Sequence, residues 1–252
     1  MAAAKNSYRW RTGGMNNMPK PLNQRGFTIL ELMIATVVFS VLLMGAATLL
    51  VQIGRLYYKG IVNSRTQETV RNITDDIGRT LQFSGEAITR SNQPYRDFPT
   101  ANGAVRVYSF CIGSTRYSYI LDGQVSSTVN TYVPGENRQN FVPHAMWRDQ
   151  DPDVTSSNCE PKNIIDSGVI SASGGREMLG ENMRLYRLVP PSDTDDNLAS
   201  FAVGVVFGQD DGLITFTDTD GQISGARCRG SGIGAQWCAT SELQTTVFRR
   251  ID

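Results

Sequence analysis

The sequence predicts an α+β fold: one long N-terminal α-helix, membrane-spanning in its first half and amphipathic in its second, packed on an antiparallel β-sheet. Three observations predict it. Residues 27–53 hold 20 apolar residues among 27. Hydrophobic positions then recur at helical spacing as far as residue 81. Beyond residue 100 the period drops to two, in short runs separated by Gly, Pro, Asp and Ser. A chain of 252 residues, 40% hydrophobic and 9% aromatic, makes one large or two small domains and is not wholly disordered.

The charge is unevenly spread. The 24 basic and 24 acidic residues cancel, which excludes a polybasic nucleic-acid arm as the dominant feature. Residues 1–26 nevertheless carry Lys5, Arg9, Arg11, Lys20 and Arg25 with no acid, a charge of +5. The remainder is 24 − 5 = 19 basic against 24 acidic, or −5, so a cut after residue 26 would turn a neutral precursor into an acidic product. Residues 32–53 contain no charge at 22 positions. As a helix that is about 33 Å, enough to cross a bilayer core. With basic residues before the span, the positive-inside rule puts the N-terminus in the cytoplasm and the chain past Arg55 outside. A cleaved secretory signal is the competing pattern. The apolar run exceeds its h-region of about 7–15 residues, and Gly45-Ala46-Ala47 is a poor cleavage site.

Glu31 sets this span apart from an ordinary anchor, because a carboxylate inside a membrane helix costs about 2.5–3.5 kcal/mol on insertion scales. An interfacial position, with Arg25 as its partner among the headgroups, is the bland explanation. The run Arg25-Gly26-Phe27-Thr28-Ile29-Leu30-Glu31-Leu32, however, resembles the class III signal of type IV prepilins and type II secretion pseudopilins. The resemblance implies cleavage by prepilin peptidase after Gly26, N-methylation of the new amino terminus on Phe27, and pairing of Glu31 with such an ammonium during assembly. It also implies a type IV pilin-like fold and, as partners, other pilins or pseudopilins and an inner-membrane assembly platform. The expected localisation is the inner membrane, single-pass with a periplasmic domain, and then a pilus or pseudopilus. The implied segments are a leader over 1–26, a transmembrane and assembly half over 27–54, an amphipathic half over 55–84 and a β-rich domain over 85–252. At 26 residues the leader is long for the family; Met15 and Met18 offer later starts.

Past the membrane, Ile53, Leu56, Ile61, Val70, Ile73, Ile77 and Leu81 form an apolar stripe, with Arg65, Glu68, Arg71, Asp75, Asp76 and Arg79 on the other face. The helix is expected over about 28–84, with Gly85 as C-cap and Pro94 and Pro99 excluding continuation. Strands are expected around 105–110, 117–121, 141–147, 183–189, 201–207, 213–217, 222–226 and 245–250. Residues 122–140 and 150–175 read as surface loops.

Cys111, Cys159, Cys228 and Cys238 all lie on the side assigned outside the cell membrane, where disulfides persist. Four cysteines allow three connectivities; local loop closure favours Cys228 with Cys238, leaving Cys111 with Cys159. Chain entropy assigns about 2.8 and about 4 kcal/mol to these loops. Without a Cys-x-x-Cys and with His144 the only histidine, neither zinc nor any other cofactor is expected. His144 has no acid at a useful spacing, so no enzymatic activity is expected. The stretch 230–235 fits a loose dinucleotide fingerprint but lies inside the proposed disulfide loop without a βαβ unit. Residues 216–221 echo a calcium loop, yet Phe216 and Arg227 occupy positions that require acids. Arg227, Arg229, Arg249 and Arg250 are the best candidates for contact with DNA, but the −5 mature chain opposes a phosphate footprint and nucleic acid is not an expected partner. A domain of about 170 residues beyond the helix is large for a densely repeated shaft. The expectation is therefore a minor pilin near the filament tip, with a minor pseudopilin of type II secretion as the alternative. Glu31 excludes the tip subunit that lacks this acid.

Overall fold

Fifty-five residues without a proline form one continuous helix, α1 (Ile29–Phe83). The computed structural model describes residues 26–84, 88–89, 95–100, 103–121, 146–151, 158–164, 174–180, 182–195, 198–208, 213–217, 223–229 and 237–248. The chain divides into two compact units, Met1–Leu50 and Val51–Asp252. In the first, every described residue is exposed, including the large apolar side chains of the helix. Thr36, Ser40 and Thr48 donate their hydroxyls to the carbonyls of Met33, Val37 and Gly45 at 2.8–2.9 Å. These polar side chains therefore need no water, and the surface stays apolar.

In the second unit the helix buries Val62, Thr66, Val70, Ile73, Thr74, Ile77, Gly78 and Leu81, a stripe at spacings of three and four. Ile53 and Leu56 belong to the expected stripe but are exposed, and Ile61 is half-buried. The strands cover the helix from Val62 onward.

Those strands are β1 (Ile88–Thr89), β2 (Tyr95–Thr100), β3 (Gly103–Ile112), β4 (Thr115–Tyr119), β5 (Met146–Gln150), β6 (Arg176–Glu177), β7 (Met183–Asp195), β8 (Leu198–Phe207), β9 (Leu213–Thr217), β10 (Ile223–Cys228) and β11 (Ala239–Phe248). All pairings are antiparallel. One sheet runs β1-β3-β4-β5-β6, with β2 beside β3 on the same edge as β1. A second runs β11-β8-β7, and β9 pairs with β10. Alternation placed most of these strands; β1, β2 and β6 were not anticipated. β1 and β6 are two residues each, too short for a period, and β2 contains Pro99, which an edge strand tolerates. β7 continues past Val189 through Pro190 and Pro191 because it too is an edge, with a register shift between Val189 and Ser192. Gly85 and residues 122–145, 165–173 and 249–250 lie outside the described residues.

The helix stripe meets both larger sheets. Val70, Ile73, Ile77 and Leu81 pack with Phe110, Ile112, Tyr117, Tyr119 and Met146 of the first, and with Leu185, Leu188, Phe201, Val203 and Val205 of the second. Each such side chain contributes about 1.5–3 kcal/mol on burial. Gly78 faces β11: a Cβ there would lie 3.6 Å from Val247 Cγ2, an ordinary packing contact. The opposite face of the first sheet carries a second buried cluster, in which Phe98, Val105, Val107 and Trp147 of the strands pack with Ile120 and with Ile164 from the segment 158–164. Residues 158–164, expected in a surface loop, bury Cys159 and Ile164 completely. The Cys111–Cys159 disulfide ties this segment to β3. Arg116 clasps Asp149 through Nε at 3.2 Å and Nη2 at 2.5 Å, donates to Asp151 at 3.1 Å and reaches the Glu160 carbonyl at 3.4 Å. Lys162 joins Asp149 at 3.4 Å. Burial works against the Arg116 charge, but the hydrogen bond and attraction from Asp149 outweigh it and raise its pKa.

Asp76, expected on the solvent face, instead links the helix to the first sheet. Its Oδ2 accepts from the Tyr117 hydroxyl at 2.9 Å and pairs with Arg148 Nε at 3.1 Å, while Oδ1 accepts from Arg176 at 2.5 Å. Burial pushes the Tyr117 phenol up from its ordinary value, so it stays protonated and can donate. The Asp76 side chain is 16% exposed, so its loss strands partly buried donors and a cation. Asp76→Ala should therefore cost about 2–3 kcal/mol and Asp75→Ala, at an exposed neighbour, under about 0.5 kcal/mol. Thermal melts of the two variants in detergent would check this; equal melting temperatures would refute the role of Asp76.

Candidate functional site

The sequence concentrates its unusual chemistry at the start of α1, where Gly26, Phe27 and Glu31 lie within six residues. Gly26 and Phe27 precede the helix outside any regular element, and Phe27 is 75% exposed. A Cβ at Gly26 would meet nothing within 4 Å. Folding therefore makes no demand for glycine there, and any requirement must come from something that binds this peptide. Both residues that form the Gly26-Phe27 bond are exposed.

Glu31 is held by a residue that the sequence reading passed over. The Thr28 backbone N–H donates to Glu31 Oε2 at 3.0 Å and the Thr28 hydroxyl donates to the same oxygen at 2.9 Å. The Glu31 N–H donates to Thr28 Oγ1 at 3.2 Å, and the Leu32 N–H to the Thr28 carbonyl at 3.2 Å. Thr28 is thus the N-cap and Glu31 the third helical residue of a reciprocal capping box, a Thr-x-x-Glu pattern that is legible before any apolar run. The carboxylate also lies in the first turn, where the positive end of the helix dipole favours an anion. These bonds offset part of the cost of placing Glu31 at the edge of an apolar span.

The remaining candidates are placed elsewhere. Disulfides join Cys111 to Cys159 and Cys228 to Cys238, with Cα separations of 5.9 and 5.7 Å. Arg227 lies over the Phe216 ring at 5.1 Å, and Arg229 is exposed at the mouth of the second disulfide loop. His144, residues 230–235, Arg249 and Arg250 lie outside the described residues. Residues 218–222 do as well, so the calcium-like stretch is seen only at its β9 end.

Residues 21–47 match the sequence model of the prokaryotic N-terminal methylation motif. No curated protein and no solved structure matches the chain. The matched segment contains Gly26, Phe27, Thr28 and Glu31 together with most of the exposed apolar helix.

The capping box and the charge of Glu31 are separable. Glutamine at the third position keeps both capping contacts but carries no charge. If Glu31 pairs with an N-terminal ammonium during assembly, as the sequence resemblance implies, Glu31→Gln should enter filaments about tenfold less than wild type, as should Glu31→Ala, because an ammonium left without its partner in an apolar bundle costs more than about 1 kcal/mol. Immunoblots of sheared filaments and membranes would check this. Normal incorporation of the glutamine variant would assign Glu31 to helix capping alone.

Proposed function

We propose that this chain, which carries the N-terminal signature of type IV prepilins and pseudopilins, is a minor pilin that primes or caps a type IV pilus. The observation that carries the reading is the signature on a helix whose residues 29–53 are all exposed and, from Leu32 on, uncharged and largely apolar, long enough to serve as a single-pass membrane anchor. No part of the described chain covers that surface, so lipid before assembly and other subunits afterwards are the partners that suit it. Residues 1–26 serve as the leader, removed by prepilin peptidase, and Phe27 receives the methyl group. The role is structural rather than enzymatic.

Size supports a minor subunit: 252 − 83 = 169 residues follow the helix, stapled by two disulfides. A pseudopilus of type II secretion uses the same signature and is the alternative. DNA uptake has less support, since Arg227 is already engaged with Phe216 and the mature chain is acidic.

Mass spectrometry of the assembled protein should find an N-terminus at Phe27 with one added methyl group. Gly26→Val should leave uncleaved precursor in the membrane with the folded domain intact, since that position has open space. An intact N-terminus in filaments would refute the processing. Quantitative proteomics of sheared filaments should find a low-copy subunit, and a copy number equal to the shaft protein would make this a major pilin. Replacing Cys228 and Cys238 by Ser should lower stability by about 2.8 kcal/mol, the chain-entropy value for that loop, with assembly lost only through the lower folded yield. Assembly lost at wild-type stability would assign the bridge a direct contact.

A further inference from the structure

Within the unit Val51–Asp252, the helix leaves its apolar run at Ile53 and at once presents Arg55, Tyr57, Tyr58 and Lys59. Tyr58 lies about 7–8 Å along the helix from Ile53 at 1.5 Å per residue. Its ring meets Trp237 edge-on, with centroids 4.3 Å apart. Neither ring is buried by this contact: Tyr58 remains 39% and Trp237 48% exposed, and Tyr57 is exposed beside them.

Trp237 is held firmly in that place by groups with no part in the helix core. It immediately precedes Cys238, and the Cys228–Cys238 bridge brings it to the same loop mouth as Arg229. Its backbone carbonyl stands 2.1 Å from where a Cβ on Gly208 would be, and Gly208 has a φ of 105°, so only glycine lets the loop mouth sit there. An amphipathic aromatic pair is thus fixed less than two helical turns past Ile53, and Arg55 and Lys59 on the helix and Arg229 beside Cys228 are exposed. Tyr and Trp concentrate at the headgroup level of membranes because the ring is apolar and its O–H or N–H can stay wet. Basic side chains at that level are attracted to anionic lipid.

We propose that Tyr58 and Trp237, flanked by Tyr57, form an interfacial anchor that seats the mouth of the Cys228–Cys238 loop in the outer headgroup layer of an anionic bilayer. The occupant is the lipid surface, because Tyr57 and Tyr58 follow the apolar run by a few residues of the same helix and the exposed Arg55, Lys59 and Arg229 are complementary to anionic headgroups. The inference rests on the reading of residues 29–53 as a membrane anchor. It adds a second membrane contact, through the globular domain, that must be broken when the subunit leaves the bilayer for a filament.

The test uses the full chain in vesicles of phosphatidylethanolamine and phosphatidylglycerol, with acyl chains either plain or brominated near the headgroup. Trp10 belongs to the proposed leader and Trp147 is buried, so the difference in emission between W10F and W10F/W237F isolates Trp237. The expected result is that brominated lipid quenches the Trp237 emission by about half or more, as befits an indole at headgroup depth. Emission that is the same in plain and brominated vesicles would overturn the proposal. An alkaline wash reads the span separately: both variants should stay with the vesicles, and their release would overturn the membrane anchor itself and this inference with it.

Discussion

One helix has to satisfy two different surroundings, and the remaining architecture follows from that. From the Leu32 N–H onward its backbone bonds within the helix, the Thr28–Glu31 box caps the start, and the hydroxyls of Thr36, Ser40 and Thr48 return to carbonyls of the same helix. Residues 29–53 are therefore self-sufficient in an apolar medium but present a long apolar surface to water. From Val62 the same helix becomes a core element, with a narrow stripe that only a sheet can cover. The change from the first regime to the second takes less than three turns, through Arg55, Tyr57, Tyr58 and Lys59.

Covering the stripe requires more than apolar area, because dispersion contacts alone allow a helix to slide along a sheet. Asp76 fixes the register. Asp76 reaches Tyr117, Arg148 and Arg176 on three successive strands, β4, β5 and β6. On the far face of the first sheet the Arg116–Asp149–Asp151–Lys162 network and the Cys111–Cys159 bridge hold residues 158–164 down. A buried ion network is weak support for stability by itself, since desolvation opposes it. Its geometry is directional, and that selects one seating of the segment over others. The second sheet uses the same device, with Tyr186 and Arg187 both donating to Glu242 across the Gly204 backbone. An alanine Cβ at Gly204 would lie 2.6 Å from the Tyr186 ring.

The sequence was most legible where a period or a fixed spacing carries the signal. The helix, its apolar first half and its β-rich partner could be read from hydrophobic recurrence, and the longer strands from alternation. The two disulfides join the four cysteines in the arrangement that the shorter loop favours, a rule of chain statistics that needs no knowledge of the fold. What could not be read depends on long-range placement. Asp76 looked like a solvated acid because its partners lie about 40, 70 and 100 residues away. Ile53 and Leu56 looked like core because periodicity does not say where the sheet ends. The segment 158–164 looked like a loop because its burial comes from one disulfide and one arginine on another strand. Thr28 differs from these: its Thr-x-x-Glu spacing to Glu31 is local and lies in the sequence itself.

That partner alters how the acid should be understood. A carboxylate at the start of a membrane helix is usually explained by what it will meet later. Here it already has an occupation, since all of Thr28's hydrogen bonds to it fall on Oε2. Among the described residues Oε1 accepts none. A carboxylate accommodates about four donors, so capping the helix and receiving an ammonium are compatible on different oxygens. The first would make the precursor tolerable at the membrane edge and hold the side chain along the helix N-terminus. The second, on the proposed processing, would use that already ordered oxygen when a cleaved neighbour arrives, with less side-chain entropy left to lose. On this account Thr28 prepares the contact and Glu31 makes it, so the two residues form one unit.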